Sequence, residues 1–290
     1  MDLTSAGIKL GLRSLALAVL IYAGLVAVLF VTQRSLIFQP TKSPTEELAR
    51  LAREQFFLPW TNSVGLRIGW WRPPPDGIGE GTVLITHGNA GTAVGRDYLA
   101  APIQAANAWD VFILDYPGYA DRPGAPTETS LFAAAKEAFV SLTNRPGPMF
   151  LVGESLGAGV AACLAGEFPR RVNAACLLVP FNNLAAAAGA HYPWLPVRWL
   201  LRDQFQSDQC LTHFQGRVAV VVGGADSVVP PELGRSLFRG YTGGPKQIWD
   251  FPGQEHWEAI SQPAPVWREI TDFLCDRNPL APAERRVPSK

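Results

Sequence analysis

An apolar run, Met149-Phe150-Leu151-Val152, leads directly into Gly153-Glu154-Ser155-Leu156-Gly157 and then into Ala158-Gly159-Val160-Ala161-Ala162. The run reads as a buried strand, the small residues read as a helix, and the pentapeptide is the sharp turn between them. Such a turn strains the serine backbone and presents its Oγ at the strand end. The flanking glycines are required because a Cβ there would strike the neighbouring strand or helix. A serine held this way is placed for nucleophilic attack, provided that a base and an acid stand nearby.

Downstream segments supply both. Arg217-Val218-Ala219-Val220-Val221-Val222 is a β-branched strand that enters a Gly-softened turn, Gly223-Gly224-Ala225, ending in Asp226. Ile248-Trp249-Asp250-Phe251 is a second short strand, and the loop after it carries His256. Of the four histidines, His87 precedes Ser155, while His191 and His213 precede Asp226, so His256 is the candidate base. The alternatives are a loop histidine capping the next helix and, for Asp226, a turn or N-cap aspartate. Asp203, Asp208 and Asp250 are the reserve acids.

A third strand, Thr82-Val83-Leu84-Ile85-Thr86, is followed by His87-Gly88-Asn89-Ala90-Gly91. Its two glycines would let backbone approach a substrate closely, and the backbone N–H of Asn89 or of Ala90 is a candidate oxyanion donor. The second donor is the N–H of Leu156, at the N-terminus of the helix after the serine, where unpaired donors and the helix dipole favour negative charge. A tight turn without chemistry is the alternative for this loop.

The segments HGNAG, then Asp115-Tyr116-Pro117-Gly118-Tyr119 with Ala125-Pro126-Thr127-Glu128, then GESLG, then Asp226 with Val229-Pro230-Pro231, then His256, occur in that order. Together they resemble the Bem46 / ABHD13-like branch of the α/β-hydrolase superfamily, over roughly residues 30 to 275. His191-Tyr192-Pro193-Trp194-Leu195-Pro196-Val197-Arg198-Trp199-Leu200-Leu201-Arg202-Asp203 resembles that branch's short cap. The resemblance implies Ser155 as nucleophile, Asp226 and His256 as its partners, and the HGNAG backbone as oxyanion donor. Two departures stand out. Ala120-Asp121-Arg122-Pro123 replaces a small polar continuation, which puts the loop shape near the pocket in doubt, and Trp257-Glu258 follows His256, which suggests a partly apolar entrance.

Strand–helix alternation from Thr82 onward implies a mostly parallel sheet covered by helices on both faces, an α/β-hydrolase fold. The preceding Gly65–Trp71 alternates as a strand, and Thr45–Gln55 reads as a short amphipathic helix. A chain of 290 residues, 48% hydrophobic, can bury one large core. Its 25 basic and 25 acidic residues balance, which argues against nucleic acid as a partner. No phosphate-binding loop or metal-ligand spacing points to a cofactor or metal. Oligomeric state is not legible. The expected division is a membrane anchor over 1–34, a hydrolase domain over 35–277 with a small helical cap at about 182–215, and a disordered tail over 278–290.

From Ser14 to Gln33 the chain carries 20 residues without a charge, about 30 Å as a helix, the thickness of a bilayer's hydrocarbon core. An uncleaved single-pass anchor is the reading; a signal peptide has a shorter apolar core and a cleavage site that is missing here. Lys9 and Arg13 before the span, against Arg34 and Lys42 offset by Glu46 and Glu47 after it, place the catalytic domain on the outer, periplasmic or lumenal side. Cys163 and Cys176 read as inert core thiols, and Cys210 and Cys275 would pair only if the fold brings them together.

The cap's Trp and Leu residues either line an acyl site or pack onto the sheet as ordinary core. The expected activity is hydrolysis of a carboxylic ester or thioester through an acyl-enzyme, on a small-molecule, lipid or acylated-protein substrate. A serine peptidase of the same fold and a non-catalytic membrane-tethered binding module are the alternatives.

Overall fold

The computed structural model describes residues 3–77, 79–277 and 284–286. The chain opens with a long helix, α1 (Leu3–Ile37), then a two-residue strand β1 (Gln39–Pro40), α2 (Thr45–Glu54), β2 (Leu58–Thr61) and β3 (Arg67–Arg72). The alternating part follows: β4 (Gly81–Thr86), the short β5 (Ala90–Gly91), α3 (Asp97–Ala106), β6 (Trp109–Leu114), α4 (Glu128–Leu142), β7 (Met149–Glu154), α5 (Leu156–Glu167) and β8 (Ala174–Leu178). Three short helices, α6 (Leu184–His191), α7 (Val197–Leu200) and α8 (Ser207–Leu211), interrupt the alternation. It resumes with β9 (Arg217–Gly223), α9 (Pro231–Gly240), β10 (Lys246–Phe251), α10 (His256–Ile260), α11 (Ala264–Leu274) and β11 (Glu284–Arg286).

The main sheet has the order β11-β10-β9-β8-β7-β4-β6-β3-β2. Pairing is parallel from β11 to β6, and β3 runs antiparallel to both of its neighbours. The central strands are near-continuous apolar runs because helices cover both faces. Along β4, Leu84 joins one buried cluster while Val83 and Ile85 join the other; along β9, Val218, Val220 and Val222 face one way and Ala219 and Val221 the other. Chain direction across the sheet reverses between β7 and β4, and the crevice beyond the carboxyl ends of these strands is where an open α/β sheet binds its ligands.

Helix α5 is mostly buried, and its small residues set how close it lies. A Cβ on Gly157 would stand 2.0 Å from the Thr86 carbonyl oxygen and 2.5 Å from that of His87; one on Gly153 would stand 2.5 Å from the Ala158 Cα. On the other side of the helix, Gly159, Cys163 and Gly166 form a stripe at helical spacing, and a Gly166 Cβ would meet the Cys210 carbonyl oxygen at 2.1 Å. Along this stripe Cys163 is disulfide-bonded to Cys210 of α8. This corrects two expectations: Cys163 is not a free core thiol, and the partner of Cys210 is not Cys275. The cap helix lies on the glycine face and brings together cysteines 47 residues apart in sequence. Cys176 and Cys275 are free, and burial raises both thiol pKa values.

The long helix α1 lies outside this core. Its segment Leu10–Ile37 is mostly exposed, and long and apolar enough to cross a membrane. Its C-terminal half engages the rest of the chain, from Tyr22, which bonds to the Trp194 carbonyl, to the last turns, where Gln33 is buried and Arg34 pairs with Asp203 at 2.8 Å. The cap does not behave as expected either. Trp194 and Trp199 neither line a closed pocket nor pack onto the sheet, but stand exposed on its outer side. Leu195, Val197, Leu200 and Leu201 instead face Leu29, Phe30, Leu36 and Ile37 of α1 across a groove of about 170 Å³. At the far edge, Glu284–Arg286 pairs parallel with β10, so three residues of the segment expected to be disordered supply backbone partners to an otherwise open strand edge. The remainder of that tail lies outside the described residues.

The packing of α5 against β4 is testable. Gly157→Ala should destabilise the fold by about 2–3 kcal/mol, since the new methyl meets backbone that cannot swing aside. Gly240→Ala, where nothing lies within 4 Å, should leave the chemical-denaturation midpoint near wild type. Equal midpoints for the two variants in detergent would refute the close-contact account.

Candidate active site

The loops after β4, β7, β9 and β10 all leave the carboxyl edge of parallel strands, so the candidate residues share one rim of the sheet. Ser155 ends β7 and precedes α5, with φ +52° and ψ −114°. A positive φ is costly for a residue with a Cβ. The strain is held from both sides: the Ser155 N–H donates to Leu178 O at 2.9 Å, and Ala158 N–H donates to Ser155 O at 2.9 Å. Leu156 is the first residue of α5, so its N–H is among the donors a helix start leaves unpaired.

Asp226 and His256 are brought into direct contact, with Nδ1 of His256 2.6 Å from Oδ2 of Asp226. The aspartate side chain is nearly sealed and the imidazole largely so. Oδ1 of Asp226 accepts from the Val228 and Val229 N–H groups, each at 2.8 Å. One carboxylate oxygen therefore holds its own loop while the other holds the imidazole. With Nδ1–H donated to the carboxylate, Nε2 is left to accept a proton. The two loops are also joined by Glu255, whose Oε2 accepts from the Ser227 N–H and hydroxyl at 3.0 Å. The reserve acids are engaged elsewhere: Asp203 with Arg34 and the Glu128 N–H, Asp250 with Arg235, and Asp208 with the N–H of Gln209.

The HGNAG loop is fixed through its carbonyls. Asn89 O accepts from Gln39 N–H at 2.9 Å and from the Tyr119 hydroxyl at 2.7 Å. Gly88 O lies 2.8 Å from Nδ1 of His87. In a trans peptide the following N–H points opposite to the carbonyl, so these bonds also set the directions of the Ala90 and Asn89 N–H groups. His87 is fully buried against Tyr116 and Tyr119, and burial, reinforced by Arg96, lowers its pKa well below the usual histidine value. Nδ1–H then donates to Gly88, and the ring serves as a neutral prop for the loop.

Sequence reasoning missed the group beneath this loop. Arg96 is buried, with Nε 3.2 Å and Nη2 3.4 Å from the Glu154 carboxylate, and it donates to Ala90 O at 2.6 Å and Thr92 O at 3.2 Å. The Tyr98 hydroxyl adds a 2.7 Å bond to Glu154, and the Tyr98 ring packs edge-on against Trp257, centroids 4.7 Å apart. Burial is the largest influence on Arg96 and opposes its charge, but Glu154 together with Tyr98 and Tyr116 outweighs it and the guanidinium pKa is raised; burial foremost raises that of Tyr98. One buried cluster thus ties the HGNAG loop, the serine turn and the histidine loop together.

It also changes the reason for the two glycines. A Cβ on Gly88 would stand 2.8 Å from Glu154 Oε1 and one on Gly91 2.1 Å from Arg96 Nη1. The space they leave is filled by the ion pair rather than kept for substrate. The unexpected Ala120-Asp121-Arg122 stretch is likewise accommodated, with Arg122 buried and donating to Asp115 O at 2.6 Å. Trp257, expected at the entrance, is half exposed against Tyr98. No described group of His, Cys, Asp and Glu side chains is arranged to hold a metal ion.

Comparison with known proteins agrees with this architecture. The family described as alpha/beta hydrolase fold matches residues 81–214. An uncharacterized protein of Mycobacterium tuberculosis is 33% identical over 83% of this chain and 86% of its own length. The lysophosphatidylserine lipase ABHD12 of Danio rerio is 28% identical over 60% of this chain and 55% of its own length, so the chain spans about half of that relative. Among solved structures, an esterase of Pyrococcus furiosus superposes with a TM-score of 0.59 at 13% identity, over 82% of this chain and 96% of its own, a likeness of fold. A Gly-flanked serine on a strained strand-to-helix turn, in a sheet with this strand order and these relatives, makes the chain a member of the α/β-hydrolase superfamily.

Proposed function

We propose that this protein is a membrane-anchored serine hydrolase of the Bem46 / ABHD13-like branch, cleaving carboxylic ester or thioester bonds. The observation that carries the reading is the pairing of His256 with Asp226 at 2.6 Å, on the same sheet rim that presents Ser155 at positive φ. In the proposed reaction Nε2 of His256 takes the Ser155 proton as Oγ attacks the acyl carbon. The oxyanion is held by the N–H of Leu156 and by that of Asn89 or Ala90. Collapse expels the alcohol or thiol, which takes the proton from His256. Water, deprotonated by the same nitrogen, then attacks the acyl-enzyme and frees Ser155 and the acid.

An apolar acyl group suits the surroundings. The groove between α1 and the cap includes Ile37, whose carbonyl accepts from the Asn89 side chain at 3.2 Å, so its apolar wall adjoins the HGNAG loop. The name of the lysophosphatidylserine lipase relatives denotes a single-chain phospholipid ester, and a substrate of that class is the proposal for this chain. Segment Leu10–Ile37 provides the single-pass anchor. The Cys163–Cys210 bond favours an oxidising compartment, and with the charge bias around the span it supports a catalytic domain on the outer, periplasmic or lumenal side.

Two outcomes test the reading. Ser155→Ala should abolish labelling by a fluorophosphonate probe and turnover of p-nitrophenyl esters, and Asp226→Asn should lower kcat by about 10³–10⁴-fold with the fold intact. Near-wild-type turnover in either variant would overturn the triad, and absent labelling of folded wild type would favour a non-catalytic binding role. For topology, protein denatured without reductant should alkylate only at Cys176 and Cys275, and a C-terminal alkaline phosphatase fusion in a bacterial host should be active. Four alkylated cysteines together with an inactive fusion would place the domain in the cytoplasm.

A further inference from the structure

The cap is fastened to α1 well inside the apolar part of that helix. The Tyr22 hydroxyl donates to the Trp194 carbonyl at 3.0 Å, and the two rings meet edge-on with centroids 6.4 Å apart. Gln33 donates through Nε2 to Leu200 O at 3.2 Å and accepts from Arg202 N–H at 2.8 Å, while the Arg202 guanidinium lies 4.4 Å from the centre of the Phe30 ring. Tyr22 and Gln33 are about 16 Å apart along a helix axis, half the thickness of a bilayer's hydrocarbon core, about 30 Å. If the uncharged stretch Ser14–Gln33 spans a membrane, the cap segment bonded along it cannot remain in water.

The cap is built for that position. Tyr192, Trp194 and Trp199 are 44%, 49% and 80% exposed: Tyr192 borders the groove and Trp194 meets Tyr22 along one edge, while Trp199 stands open. A segment in lipid must satisfy its own backbone. Here the N–H groups of Tyr192, Leu195, Val197, Trp199 and Leu201 bond to carbonyls within 188–197. Pro193 and Pro196 have no N–H, and the Trp194 and Leu200 carbonyls accept from Tyr22 and Gln33 of α1. Arg198 is exposed beside Trp199, and its side chain is long enough to reach a headgroup phosphate from an apolar setting.

The geometry points to a cap tip, Tyr192–Leu201, immersed in the leaflet that holds the C-terminal half of α1, with phospholipid as its partner. The groove between cap and helix is then a side port through which a lipid acyl chain reaches Ser155 without crossing water. This inference rests on the anchored-hydrolase reading above and adds what that reading leaves open, the route and physical state of the substrate.

The test uses full-length protein in phosphatidylcholine vesicles. Brominated acyl chains should quench part of the tryptophan emission, and the quenched fraction should shrink in Trp194→Phe and in Trp199→Phe. An unchanged fraction in both would overturn the immersion. Trp199→Asp should lower hydrolysis of a vesicle-borne monoacyl phospholipid by about five- to ten-fold while p-nitrophenyl acetate is turned over at the wild-type rate. Equal loss on both substrates, or loss on neither, would overturn the port. Two controls separate the underlying readings. Release of wild type from vesicles by an alkaline wash removes the anchor and this proposal with it, whereas retention without cap quenching removes this proposal alone. Quenching without Ser155-dependent turnover removes the hydrolase reading and leaves the lipid contact standing.

Discussion

The approach of α5 to the end of β4 is the constraint on which the site depends. Gly157 lies so near the Thr86 and His87 carbonyls that a side chain of any size is excluded, and the Thr86 hydroxyl donates to Gly157 O at 2.8 Å, locking the two elements together. Because α5 starts at that contact, β7 must turn sharply to enter it, and Ser155 takes the strain as a positive φ. The same contact sets the HGNAG loop beside the helix N-terminus. Ser155 and the candidate oxyanion donors are therefore positioned by backbone packing before any side-chain chemistry is considered.

The buried ion pair beneath the site extends this arrangement outward. Burying two charges gains stability only when their hydrogen bonds are well satisfied, and removing one partner leaves a costly uncompensated charge. Arg96 and Glu154 meet that condition through Ala90 O, Thr92 O and the Tyr98 hydroxyl. Ala90 and Thr92 lie in the segment after β4, Tyr98 on α3 and Glu154 at the end of β7, so the pair ties the HGNAG loop to the serine turn, and the Tyr98 ring carries the contact on to Trp257 beyond β10. Its contribution is the geometry of those loops relative to one another, and the glycines at 88 and 91 are shaped around it.

The cap and the first helix form a second assembly. Arg34 with Asp203, Gln33 with the Leu200–Arg202 backbone and Tyr22 with Trp194 join a helix long and apolar enough for a bilayer to the cap segment. The disulfide from α8 to α5 fixes the other end of that segment to the helix that follows Ser155. The candidate span and the cap are thus parts of one structure rather than separate appendages.

Much of this was legible in the sequence because it is encoded locally. Strand and helix periods, the G-x-S-x-G turn and the chain order of Ser155, Asp226 and His256 each depend on residues near one another, and the length and apolarity of the first helix can be read from a single window. What the sequence could not show are pairings between distant segments. Cys163 meets Cys210 because a cap helix lies on a glycine stripe. Arg96 reaches Glu154 because β4 and β7 are neighbours although α3, β6 and α4 separate them in the chain. Trp199 faces outward while the smaller apolar residues of the cap are taken up by α1. Local pattern determined which residues could do chemistry; the strand order and the docking of helix on cap decided which of them meet, since both depend on contacts that no single window of sequence contains.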